Sequence, residues 1–169
     1  LKSQLTWYLG KARSCGCTAV VRNGNVYPQR LRDVLGDDAP AVLWAKGDLS
    51  LLETPAVALV GSRDLWGDNF LFAREVGRLA AKQGYTLVSG NARGADRVAQ
   101  DACLTCGGRV ISVVADQLSV YAPRENMLYL AENSFDGEFT ANRALSRNHI
   151  IHALGEKTFV AKCDLRKGG

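Results

Sequence analysis

From residue 55 onward, apolar residues fall into short unbroken runs separated by longer stretches with helical spacing. Ala56-Val57-Ala58-Leu59-Val60 is continuous and stops at Gly61. A run without alternation suits a strand buried on both faces, as in a parallel sheet. Residues 85–88, 110–114 and 158–161 read as further strands, and the brief run 127–131, followed by Asn133-Ser134, predicts another. Between them, Phe72, Val76, Leu79 and Ala80 recur at helical spacing over 68–83, with Gly84 as the stop. Ala95, Val98, Ala99, Ala102 and Cys106 form a second stripe over 95–106, closed by Gly107-Gly108. Residues 143–154 read as a third helix ending at Gly155, and 116–126 as a loop or short helical turn. The alternation predicts an α/β fold: a Rossmann-like, doubly wound, mostly parallel sheet with helices on both faces.

The first 50 residues have a different texture. Tyr27-Pro28 and Ala39-Pro40 interrupt any long element, and only Ala41-Val42-Leu43-Trp44 reads as a strand. The chain therefore divides into a lead-in segment, 1–50, and a Rossmann-like domain, 51–169. At 47% apolar and 22% charged residues, the composition is that of a core-forming protein. The longest apolar run, residues 56–60, is far short of the roughly 20 residues a bilayer needs. No membrane partner is expected. Five cysteines cannot all pair internally, and no signal-like segment opens the sequence. Both point to a reducing, cytoplasmic setting.

The net charge of +4 says little by itself, and placement says more. Ligands of doubly wound sheets bind at the C-terminal ends of the strands. Gly61-Ser62-Arg63 follows the first strand of the alternating region, and Ser89-Gly90-Asn91-Ala92-Arg93-Gly94-Ala95-Asp96 follows the second. The last helix carries Arg147-Asn148, and the last strand leads to Lys162, Arg166 and Lys167. Glycines let backbone approach a ligand closely, and free N–H groups at a helix start form an anion site. Serine hydroxyls donate to oxygen, and arginines bond phosphate with both prongs of the guanidinium. Each loop alone reads equally well as a tight strand-to-helix connection. Together they predict one phosphate-binding edge. Asp96 reads either as a charge matched to its helix dipole or as a group orienting Arg93 or a ligand hydroxyl.

Taken in this order, these motifs resemble the DNA-processing protein A (DprA/Smf) family. Tyr27-Pro28-x-x-Leu31 and Leu43-x-x-Lys46-Gly47-Asp48 resemble the lead-in to its Rossmann domain. The likeness runs from about residue 27 to 169. It implies a protein that binds single-stranded DNA, dimerises through the Rossmann domain and hands the strand to the RecA recombinase in natural transformation. It implies phosphate-gripping roles for Gly61, Ser62 and Arg63, for Ser89, Gly90, Arg93 and Gly94, and for Arg147 and Asn148. Lys162 is expected to add a basic contact. The sequence departs from the family at Ala115-Asp116-Gln117-Leu118, where a Gly-x-Gly-Leu is usual, and at His149, where Arg is frequent.

Other chemistries are less well supported. There is no G-x-x-x-x-G-K-[ST], and no G-x-G-x-x-G after the first strand. Cys103 and Cys106 read as helix packing residues and His149 and His152 as surface positions, so neither a metal nor a cofactor is expected. Trp7 and Trp44 read as core. Trp66 reads as cover or as a base-stacking ring at the mouth of the site. The rival reading is a nucleotide sensor or a nucleoside-monophosphate phosphoribohydrolase-like protein. Those hydrolases carry a Pro-Gly-Gly-x-Gly-Thr-x-x-Glu motif that has no counterpart here. No catalytic residue is therefore assigned.

Overall fold

Residues 2–163 are described by the computed structural model. Their elements run α1 (Lys2–Ser14), β1 (Thr18–Val21), α2 (Gln29–Leu35), β2 (Val42–Gly47), β3 (Ala56–Gly61), α3 (Gly67–Lys82), β4 (Thr86–Ser89), α4 (Ala95–Thr105) and β5 (Arg109–Val114). There follow β6 (Met127–Glu132), α5 (Ala141–Ser146), α6 (Asn148–Leu154) and β7 (Thr158–Ala161). The strands form one sheet in the order β1-β2-β6-β5-β4-β3-β7. β6, β5, β4, β3 and β7 are parallel, while β2 pairs antiparallel with β6 and β1 antiparallel with β2.

Both faces of the sheet are covered, as the unbroken apolar runs require. Val57 and Leu59 of β3 face a layer containing Ala12 of α1, Ala73 and Val76 of α3, and Ala99 of α4. Ala56 and Ala58 face the opposite layer, with Leu31 of α2 and Ile150, Ile151 and Leu154 of α6. The doubly wound expectation holds.

The N-terminal 50 residues are more ordered than their texture suggests. β1 and β2 extend the sheet, with Thr18 opposite Ala45 and Trp44 opposite Ala131. Tyr27, which precedes a helix-starting proline, is buried and donates its hydroxyl to Pro40 O at 2.9 Å. On α1, Tyr8 packs against Trp44 and Phe135, while Trp7 is 67% exposed, so Trp7 is not a core residue.

The helical stripes also shift. On α3 the buried residues are Ala73, Val76, Gly77 and Ala80, whereas Phe72 and Leu79 are substantially exposed. Small residues win because α3 lies directly on α4: a Cβ on Gly77 would collide with the Ala99 carbonyl. On α4, Ala95, Ala99 and Cys103 face inward and Cys106 is exposed. Burial pushes the Cys103 thiol up to about 11. The predicted helix over 143–154 begins earlier, where Thr140 Oγ1 accepts from Arg143 N at 3.1 Å, and divides at Arg147 into α5 and α6. The β5–β6 connection contains a single 3-10 turn, Leu118–Val120, within the stretch read as loop or short turn.

Candidate nucleic-acid interface

The winding of the sheet reverses between β3 and β7, the switch point at which ligands of such folds enter. Here that gap is sealed. Ser62 N donates to Ala161 O at 3.1 Å and to Lys162 O at 3.0 Å. A Cβ on Gly61 would stand 2.7 Å from Ala95 Cβ, so glycine is required for this closure. The open space lies beside it, over the C-terminal ends of β3, β4 and β5, as a cleft of about 480 Å³. A larger cavity of about 710 Å³ lies at the opposite edge, between Tyr27, Arg32, Leu51 and Ala56, away from every predicted site residue.

Arginines dominate the smaller cleft. Arg63 follows β3, Arg93 and Arg97 flank the start of α4, and Arg147 reaches in from the α5–α6 junction. Arg147 is only 6% exposed, and its Nε has no hydrogen-bond partner. Its Nη1 donates to Asn148 Oδ1 at 3.4 Å. Burial lowers the Arg147 pKa, while the charge of Asp96 acts in the opposite direction. Gly90 makes room for this side chain, because a Cβ there would overlap the guanidinium.

The second loop is organised from within. Asp96 Oδ2 accepts from Gly90 N at 3.1 Å and from Ala92 N at 3.2 Å. Two N–H groups of the α4 start are also engaged: Ala95 N donates to Ser62 O and Arg97 N to Ala92 O. The helix start is thus less open to an outside anion than the sequence suggests. Burial raises the Asp96 pKa, and the Arg147 charge and the two N–H bonds pull it back. Asp96 therefore positions the loop. Gly94, at φ +90°, lets the chain pass the Ser62 and Arg63 carbonyls, where a side chain could not.

The remaining predicted residues lie apart from the cleft wall. Ser89 is fully buried, and its Oγ accepts from Gln100 Nε2 at 2.7 Å, so its hydroxyl is a core group. Ser62 Oγ accepts from Asp64 N at 3.1 Å. Lys162 donates to Asp64 O at 3.1 Å and sits over the exposed Trp66 ring, outside the cleft. Arg166 and Lys167 lie outside the described residues.

Several lining residues were given no binding role from the sequence: Arg97, Asn91, Asp116, Tyr121 and Phe139. Arg97 carried a signal, standing in the first turn after Gly94. Phe139 carried none, because a long loop delivers it.

Comparison with known proteins decides the family. The family model described as DNA recombination-mediator protein A matches residues 18–169. The chain belongs to that family. It is 32% identical over 152 residues to DNA processing protein DprA of Streptococcus pneumoniae, covering 84% of this chain and 53% of that one. It spans about half the length of that curated relative. The X-ray structure of DprA from Streptococcus pneumoniae superposes with a TM-score of 0.84 at 29% identity, over 99% of this chain and 60% of that one. A Helicobacter pylori DNA processing protein A structure, described for its single-stranded DNA binding mode, gives a TM-score of 0.73 at 27% identity over 90% of this chain and 72% of that one. No helix among the described residues is long and apolar enough to cross a membrane.

Proposed function

We propose that this chain binds single-stranded DNA at the C-terminal edge of β3, β4 and β5. One observation carries the reading: Arg147 is a buried cation with an unpartnered Nε in a cleft shared with three further arginines. Burying a charge without a full set of partners is costly, so such a group suits a ligand that completes it. Phosphate oxygens do so with forked, charge-assisted bonds.

Arg147 and Arg63 grip one phosphate, with Gly90 providing the close approach and Asn148 steadying the guanidinium. Arg93 and Arg97, both exposed, meet the neighbouring phosphates. Gly61, Ser62, Gly94 and Asp96 shape the loops that carry these groups, and Ser89 anchors the second loop to the core. Phe139, 55% exposed at the cleft, offers a stacking face for a base. Likeness to the Helicobacter pylori protein, whose structure is described for its single-stranded DNA binding mode, supports the choice of single-stranded DNA.

The cleft grips rather than reacts in this reading. Both candidate hydroxyl nucleophiles are engaged, Ser62 with Asp64 N and Ser89 with Gln100. Family membership extends the proposal to transfer of the strand to RecA and to a homodimer acting in the cytoplasm.

The test is fluorescence anisotropy with labelled oligo-dT at two salt concentrations, with double-stranded DNA and AMP as competitors. Binding should weaken as salt rises, with a slope of about 0.7 per phosphate contacted. Arg63→Ala should lower that slope by roughly one contact. Failure to bind the oligonucleotide, together with thermal stabilisation by AMP, would replace this reading with the small-molecule one.

A further inference from the structure

The cleft is polar along the sheet edge. Its arginines come from the loops after β3 and β4 and from the α5–α6 junction, whereas its β5 end carries Asp116 and Tyr121. A carboxylate only accepts hydrogen bonds and repels phosphate. Asp116 helps to balance the Arg147 charge, and its remaining acceptor sites suit a donor on the ligand rather than a phosphate oxygen. β3 and β5 are two strand spacings apart, about 10 Å, which is comparable to the reach from a phosphate to the far edge of its base.

Asp116 is held in place by a chain of contacts. The Tyr121 hydroxyl donates to Asp116 Oδ1 at 2.7 Å, and Asn91 Nδ2 approaches the same hydroxyl at 3.5 Å. The Tyr121 ring stacks on Tyr129 with centroids 4.6 Å apart. Lys46 Nζ donates to Ser119 O at 3.1 Å, and Leu118 N to Phe135 O at 2.8 Å, tying down the turn between them. An ionised carboxylate offers about four acceptor sites, and the Tyr121 bond uses one.

We propose that Asp116 gives the cleft a base preference, favouring bases that present an amino group, such as cytosine, over thymine. The inference rests on the strand-binding reading above. Cytosine N4–H₂ donates to a carboxylate, whereas thymine places the O4 acceptor at the equivalent position, leaving two acceptors opposed. The arginine end supplies affinity without regard to base, and the Asp116 end supplies discrimination. Burial pushes the Tyr121 phenol up to about 12, so it remains a donor to Asp116 throughout the physiological range.

The experiment compares oligo-dC and oligo-dT of equal length by anisotropy at neutral pH, for the unaltered protein and for Asp116→Asn. The unaltered protein should bind oligo-dC about tenfold more tightly, the discrimination of one good base-edge contact. Asp116→Asn, whose amide both donates and accepts, should bring the two affinities level while oligo-dT binding is kept or improved. Equal affinities in the unaltered protein overturn the base preference and leave strand binding standing. An unchanged ratio in Asp116→Asn overturns the role of this residue. Absence of binding to either oligonucleotide overturns the strand-binding reading as well.

Discussion

The guanidinium of Arg147 occupies the space that a Cβ on Gly90 would fill. Gly90 is not a positive-φ residue, so its requirement is steric and comes from the partner side chain. Gly90→Ala must displace Arg147 from its buried position. The expected result is a loss of oligo-dT affinity approaching that of Arg147→Ala, with about 1–3 kcal/mol of overpacking destabilisation. Anisotropy and urea unfolding on both variants check this. Full affinity in Gly90→Ala would show that Arg147 need not sit there to bind.

Asp96 and Arg147 carry opposite charges around the same loop, and each moderates the cost of burying the other. Asp96→Asn keeps the shape, and its amide oxygen can take the place of Oδ2 and accept from both Gly90 N and Ala92 N, so what it removes is the negative charge that offsets buried Arg147. A loss of about 1–3 kcal/mol is expected from the weaker neutral hydrogen bonds and the counter-charge taken from a buried cation. The double variant with Arg147→Met should be less unstable than the sum of the two single changes, by about 0.5–3 kcal/mol. Strict additivity in denaturant unfolding would separate the two residues.

The parallel sheet was legible because its strands are buried on both faces, so residues 56–60 are a continuous apolar run and residues 110–114 are apolar except for Ser112. Antiparallel β1 was not. Thr18–Val21 has exposed and partly exposed positions and follows a Cys-Gly-Cys turn, so four residues carried too little pattern. The helical stripes were legible in part: Val76, Ala80, Ala95 and Ala99 are buried, but on α3 the bulk of Phe72 and Leu79 masked the inward-facing Ala73 and Gly77, which are small where α3 meets α4. At the site, glycines and arginines marked the loops. Nothing local could show that Ser89 turns into the core towards Gln100, or that Asp116 and Tyr121 meet at one end of the cleft.

The α3–α4 contact leads to a second packing prediction. Gly77 carries no side chain because the Ala99 carbonyl lies where a Cβ would be. Gly77→Ala removes a helix-weakening glycine from α3, a gain of about 1 kcal/mol in isolation. The collision outweighs it, so net destabilisation of about 1–3 kcal/mol is expected. Gly10, in α1 with open space around it, provides the contrast: Gly10→Ala should stabilise the protein. Melting temperatures moving in the same direction for the two variants would refute the close-packing account.

Asp136 fastens α1 to the segment after β6. Its Oδ2 accepts from Lys11 Nζ at 2.7 Å, and its Oδ1 accepts from Tyr8 at 3.0 Å and from Ser134 at 2.7 Å. The Lys11 bond, followed by the Ser134 hydroxyl, holds its carboxyl down at about 2, below the ordinary 3.8. A carboxyl depressed by folding contributes stability above its unfolded value and loses it as pH falls through the folded one. The contribution is therefore complete at neutral pH and disappears between about pH 4 and pH 2. Partial exposure screens it, so about 1 kcal/mol is expected. Lys11→Met should lower the melting temperature at pH 7 and narrow its difference from the parent as pH falls through this window. A gap that stays constant down to pH 2 would assign the effect to the lost contact of the Lys11 ammonium with the Phe135 ring, 5.8 Å from its centroid, instead of the bond to Asp136.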